Sequence, residues 1–269
     1  MSRTHFTCDC NGETLACTLD NAASPVGLLI VSGGNEIRSG AFAGQARLAA
    51  RLAEAGYPVL RFDRRGVGDS TGENNGFTDS ADDIAAALRA FLSAQTGLRR
   101  VVGFGNCDAA SALMLGAGGG CDALVLTNPW TFEGEAADDA TAMPAEAIRA
   151  RYAARLKDPR EWLRLLRGGV DLRKLARGLR GAISKPAPPS SLAENMRSGL
   201  SRFGGNARIL LASRDRTAQA FAAVWDRSDL RLLHREGADH AFSGAADSDW
   251  LFAQLVAALE EQARQLDVD

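Results

Sequence analysis

The sequence predicts an α/β fold: a mostly parallel, doubly wound sheet carrying a helical insertion. Three observations predict it. From residue 26 to 127, apolar runs of strand length alternate with segments of helical periodicity, and the alternation resumes from 207 to the C-terminus. The strand-length runs are continuously apolar, as in strands covered on both faces. Between the two regions, residues 131–205 lose the strand pattern and change charge character.

Taken in order, residues 5–19 (HFTCDCNGETLACTL) read as a hairpin, because Asn11-Gly12 is a strong two-residue turn signal. Residues 26–31 (VGLLIV) form a buried strand and run into Ser32-Gly33-Gly34-Asn35, a Gly-rich turn. A helix over 41–55 places Phe42, Ala46, Ala49, Leu52 and Ala53 on one face and closes at Gly56. Residues 58–63 are a strand, and 79–94 a helix with Ile84, Leu88, Phe91 and Leu92 inward. Strand 100–105, helix 107–117 (ended by Gly118-Gly119-Gly120) and strand 122–127 follow. After the insertion come strand 207–212, helix 216–226, strand 230–234 and helix 247–265.

The insertion opens acidic and turns basic. Residues 133–146 hold five acids and no base; residues 147–202 hold fourteen bases and four acids. Helices are predicted over 144–157, from Asp158 (N-cap) and Pro159 with Trp162 and Leu163 inward, after Asp171, and near 191–200 beyond a Pro/Ser linker. The expected organisation is a core of residues 1–130 and 206–269 with a helical cap over 131–205.

Composition excludes several function classes. The 31 basic and 33 acidic residues leave a net charge of −2, without the basic excess that gripping phosphate backbones requires, so no nucleic-acid partner is expected. No apolar run reaches about 18 residues, and the N-terminus lacks a signal-peptide core, so the expectation is a cytoplasmic chain with no membrane span. Five cysteines in that compartment should be reduced thiols. Cys8, Cys10 and Cys17 with His5 match no common zinc spacing; strand alternation explains them, and neither metal nor cofactor is expected.

The chemistry concentrates in Gly103-Phe104-Gly105-Asn106-Cys107-Asp108-Ala109-Ala110. A strand runs directly into a helix with small residues two before and two after Cys107, the small-x-nucleophile-x-small pattern of a nucleophile elbow. Bulk at those positions would clash within the tight turn. The turn also aims the Asp108 N–H and the helix N-terminus at the point where an oxyanion would form. Gly34 and Asn35, in the turn after an early strand, are the candidates for the second oxyanion donor. The acid expected after a late strand is Asp215, with Asp226 as alternative. Of three histidines, His5 lies in the hairpin and His234 in a strand; His240 lies in the loop after the last strand, where a base belongs. Trp130, Phe132 and Trp162 could line an acyl pocket.

Together with Arg61-Phe62-Asp63-Arg64-Arg65-Gly66-Val67-Gly68-Asp69-Ser70, these motifs and their order resemble the α/β-hydrolase superfamily over essentially the whole chain. A narrower resemblance, through "GGNEIRSG", "AGYPVLRFDRRGVGDSTG" and "GFGNCDAA", is to the exosortase A system-associated hydrolase 1 family, bacterial proteins that accompany exopolysaccharide and protein-sorting loci. The resemblance implies the α/β-hydrolase fold, with 131–205 as cap and 63–68 as a structural turn outside the catalytic machinery. The chain departs from most of the superfamily in lacking His-Gly before the oxyanion turn and in carrying Cys107.

The expected activity is hydrolysis of carboxylic esters or thioesters through a Cys107–His240–Asp215 triad and an acyl-enzyme. An acyl-carrier or coenzyme A thioester fits the basic insertion, and an acidic acyl carrier protein is the macromolecular partner such a surface would meet. Two other readings use the same residues: an acyltransferase, and a ligand-binding protein of this fold without catalysis.

Overall fold

The computed structural model describes residues 2–133 and 191–268. The helices expected over 144–157, from 158 and after 171, and the residue Trp162, lie outside the described residues.

Eight strands form one sheet: β1 (Arg3–Cys10), β2 (Glu13–Asp20), β3 (Val26–Val31), β4 (Val59–Phe62), β5 (Arg100–Asn106), β6 (Ala123–Thr127), β7 (Asn206–Ala212) and β8 (Leu232–Arg235). The spatial order is β1-β2-β4-β3-β5-β6-β7-β8. β2 pairs antiparallel with both β1 and β4, and every other pairing is parallel. The hairpin closes at Asn11 and Gly12, both at positive φ (56° and 86°), as a two-residue hairpin turn demands.

Six helices lie among the described residues: α1 (Gly44–Glu54), α2 (Ala81–Ala94), α3 (Asp108–Leu115), α4 (Ser191–Arg202), α5 (Arg216–Val224) and α6 (Ala245–Leu266). They cover both faces. One core gathers Leu29, Val31, Phe62, Ile84, Phe91, Leu113, Met196 and Phe221 beneath α2, α3, α4 and α5. The other gathers Leu28, Ile30, Leu52, Val102, Val125, Phe242 and Leu255 beneath α1 and α6. β3 is buried along its whole length because alternate residues feed the two cores.

Two helices depart from the sequence expectation. Residues 41–43 form a separate 3-10 turn, with Phe42 and Ala43 at φ 49° and 56°. The left-handed backbone breaks helical phase, so Phe42 is 95% exposed rather than inward. On α2, Ile84, Leu88 and Phe91 are buried but Leu92 rotates to the rim, 42% exposed.

Candidate active site

The carboxyl ends of β3, β5, β6, β7 and β8 open on one edge of the sheet, the place where open parallel sheets assemble sites. β5 ends at Asn106, and Cys107 follows in a conformation with φ 61° and ψ −127° before α3 begins. That conformation costs a non-glycine residue about 1–3 kcal/mol and persists only where neighbours enforce it. They do: Cys107 N–H donates to the Thr127 carbonyl at 3.0 Å, and the Cys107 carbonyl accepts from the N–H groups of Trp130 and Ser111, both at 3.3 Å. A Cβ on Gly105 would lie 2.7 Å from the Ala109 carbonyl carbon, which is why the position two before Cys107 must be bare. Cys107 is half-buried.

Asp215 and His240 arrive from the neighbouring strands. Asp215 is the N-cap of α5: its Oδ2 accepts from the Ala218 N–H at 2.9 Å. Its Oδ1 accepts from His240 Nδ1 at 3.0 Å. Capping and imidazole binding are therefore simultaneous, one oxygen for each. A carboxylate only accepts, so Nδ1 carries the hydrogen and Nε2 is the nitrogen left for Cys107. Hydrogen bonds to Asp215 and then to the Cys107 thiol push His240 up from 6.5 to about 10, against the opposing effect of burial. Asp226, the alternative acid, instead accepts from the Ser228 N–H and hydroxyl. His5 bonds Thr18, and His234 is exposed on β8.

The loop carrying His240 is fastened on both sides. Ala238 and Phe242, two residues either way, are buried in the α1/α6 core, and Phe242 stacks on Trp250. The acid turn joins it through Ser213 N–H to Arg235 carbonyl at 3.1 Å and Arg214 N–H to Ala238 carbonyl at 3.0 Å.

The turn after β3 also reaches the elbow. The Gly34 N–H donates to Asp108 Oδ1 at 2.6 Å, and a Cβ on Gly33 would lie 2.7 Å from the same oxygen. Arg64, 3% exposed, donates to the Gly34 carbonyl and stands 3.6 Å from Asp108 Oδ2. Asn35 accepts from Asn74 through its side chain at 2.8 Å. Trp130 and Phe132 pack ring to ring at 4.7 Å just beyond β6. Arg64 was missed in the sequence, where 63–68 read as a turn without a part in the site. Asp63 does build that turn, accepting from Arg38 and from the Asp69 N–H, but the next residue supports the Gly34 backbone. Its position just past the carboxyl end of β4 was the available signal.

Residues 28–254 match the family described as "Alpha/beta hydrolase family". The chain belongs to the alpha/beta hydrolase family. Among solved structures, the hydrolase is similar to an alpha-beta serine hydrolase homologue from Coxiella burnetii (TM-score 0.59, 16% identity, 96% of this chain and 98% of that one covered). It is also similar to an esterase from Pyrococcus furiosus (TM-score 0.60, 13% identity, 97% and 91% covered). A third is a proline iminopeptidase from Mycobacterium smegmatis (TM-score 0.59, 18% identity, 99% and 100% covered). A comparison with curated proteins found no match. Such identities speak to the fold, an alpha/beta hydrolase sheet with its helices. No helix among the described residues is long and apolar enough to cross a membrane.

Proposed function

We propose that this hydrolase cleaves carboxylic esters or thioesters, with Cys107 as nucleophile, His240 as proton carrier and Asp215 orienting the imidazole. One observation carries the reading: a single imidazole is hydrogen-bonded at 3.0 Å to a buried carboxylate and is raised further by the neighbouring Cys107, a thiol held at a strained strand–helix turn. A structural cysteine needs neither the strain nor the imidazole.

In the first step Cys107 Sγ, its proton passed to His240 Nε2, bonds to the substrate carbonyl carbon, and the carbonyl electron pair moves to oxygen. On this reading the Asp108 N–H at the start of α3 and the Asn35 N–H bind that oxyanion, the Gly34 N–H being held by Asp108 Oδ1 in the resting site. Collapse breaks the bond to the alcohol or thiol, which leaves with the proton from His240. Water then gives a proton to His240 and its oxygen to the thioester, releasing the acid and returning the proton to sulfur. Sulfur is a good leaving group, so activated acyl donors suit this site better than amides.

The motifs resembling exosortase-associated hydrolases support a bacterial, cytoplasmic setting beside exopolysaccharide and protein-sorting systems. An acyl-carrier or coenzyme A thioester is the substrate we favour there, lined by Trp130 and Phe132 and by Trp162 of the proposed cap ahead of α4. Intact-mass detection of a covalent adduct across a panel of acyl p-nitrophenyl esters and acyl-coenzyme A thioesters tests this. The expected result is an acyl adduct on Cys107 that is absent in Cys107→Ala; turnover retained in Cys107→Ala would overturn it.

A further inference from the structure

The three loops that bear Cys107, Asp215 and His240 come from three different strands, and one buried side chain bonds to all three. Asn128 follows β6 directly and is 0% exposed. Its Oδ1 accepts from the Ala212 N–H at 2.9 Å, at the end of β7 three residues before Asp215. Its Nδ2 donates to the His240 carbonyl at 3.0 Å and to Asn106 Oδ1 at 3.1 Å, the latter belonging to the residue before Cys107. Asn106 Oδ1 also accepts from the Thr127 hydroxyl at 2.9 Å, and Asn106 Nδ2 donates to the same His240 carbonyl at 3.3 Å.

This pattern dictates the residue type. An N–H partner requires an acceptor, and two oxygen partners require two donors, so the amide orientation is determined by chemistry. Aspartate offers no donor and leucine nothing. The backbone at Asn128 is left-handed, with φ 45°, a conformation asparagine tolerates better than most residues. All of the amide's hydrogen atoms are used, and every bond leads to a segment carrying a site residue.

We propose that Asn128 is a positioning residue, setting the distance between His240 and Cys107 by tying the nucleophile strand, the acid strand and the base loop to one amide, with Asn106 as its partner. The inference rests on the reading of Cys107 and His240 as a nucleophile–base pair. It adds that their spacing is set by a side chain touching neither reacting atom.

The test is the rate of Cys107 carboxamidomethylation by iodoacetamide at pH 7, followed by peptide mass so that the other four cysteines are separated. Burial pushes Cys10 up to about 11 and Cys121 up to about 12, so these thiols contribute little signal at that pH. The variants are Asn128→Asp, which keeps the acceptor and loses both donors, and Asn128→Gly, which keeps the left-handed backbone and loses the side chain. His240→Ala is the reference for a missing base. The expected result is slowing of about tenfold or more in both Asn128 variants, in the direction of His240→Ala, since misplacement by about 1 Å can cost up to 100-fold.

The sign separates positioning from mere stability. A loosened fold exposes Cys107 and speeds alkylation, whereas a misplaced base slows it. Rates unchanged or raised in the Asn128 variants while His240→Ala slows would overturn the inference and leave the nucleophile–base reading standing. An unslowed His240→Ala would overturn both. Should neither Asn128 variant fold, Asn106→Asp removes one of the two donors to the His240 carbonyl at a half-exposed position. Slowing there supports the inference, and an unchanged rate overturns it.

Discussion

Replacing Asp215 separates two roles that one carboxylate performs. Oδ2 caps α5 through Ala218 N–H, and Oδ1 holds His240 Nδ1–H. Asparagine caps as well as aspartate, so Asp215→Asn should be more stable than Asp215→Ala by about 0.5–2 kcal/mol, the ordinary range for a lost N-cap, while both lose the stability that the raised His240 ring contributes. Catalysis divides differently. Both variants remove the carboxylate whose hydrogen bond does most to raise His240, so its titration should fall from about 10 toward the ordinary value of 6.5 in each. With the tautomer no longer enforced, turnover should drop about 10³–10⁴-fold in both. Urea denaturation measures the first effect, a nitrogen-15 titration of the His240 ring the second, and hydrolysis of an accepted ester the third. The reasoning fails if Asp215→Asn unfolds as readily as Asp215→Ala, or if the His240 titration stays where it is in both.

Other outcomes follow from the same geometry. Gly105→Ala drives a Cβ to 2.7 Å from Ala109 and 2.8 Å from Ala110, helix backbone that must shift; a loss of about 1–3 kcal/mol in urea denaturation is expected, with reduced Cys107 reactivity. Because the folded state raises His240, it binds more protons than the unfolded chain between about 6.5 and about 10. The contribution to stability is complete below that window and disappears as pH rises through it; chemical denaturation at pH 6 and pH 10 should show the wild type losing more than His240→Ala. Asp108→Asn removes a negative charge 2.6 Å from the Gly34 N–H, so that donor should serve an oxyanion better and kcat should rise about two- to tenfold. A fall in kcat would mean that the Asp108 charge holds the turn in its working position.

Legibility differed between the sheet and the side chains that organise the site. β3 and β6 were plain from their apolar runs, and the hairpin from Asn11-Gly12, because these features are local in sequence. Phe42 was misjudged because two left-handed residues before α1 reset the helical phase, and nothing in Ala-Phe-Ala announces that backbone. Cys107, Asp215 and His240 were singled out because each follows a strand in a place where chain order restricts the choice, and the structure sets Asp215 and His240 3.0 Å apart. Arg64 and Asn128 were not, since their partners lie at Gly34 and Asp108, and at Ala212 and His240. A hydrogen bond between residues 84 or 112 positions apart leaves no periodicity to read. For Asp215, capping α5 and holding the imidazole do not compete, because a carboxylate has two oxygens and the fold uses both.

On the proposed reading, the imidazole also gives a reason for sulfur over oxygen. With His240 raised well above its ordinary value, the ring holds its proton more often at neutral pH, and a protonated ring cannot accept a hydroxyl proton. A thiol gives up its proton far more readily than a hydroxyl, so a raised ring hinders a cysteine less and already carries the proton the leaving group needs. Cys107→Ser should therefore turn over esters slowly at neutral pH and gain rate as the ring deprotonates at alkaline pH, while the wild type is already active near pH 7. The Asp215 hydrogen bond, the largest influence on the ring, is unaffected by the substitution, so the alkaline limb should remain even though the contribution of Cys107 is lost. Superimposable pH–rate profiles for the two proteins on the same ester would mean that the resting ring is neutral, and that sulfur was not selected on this ground.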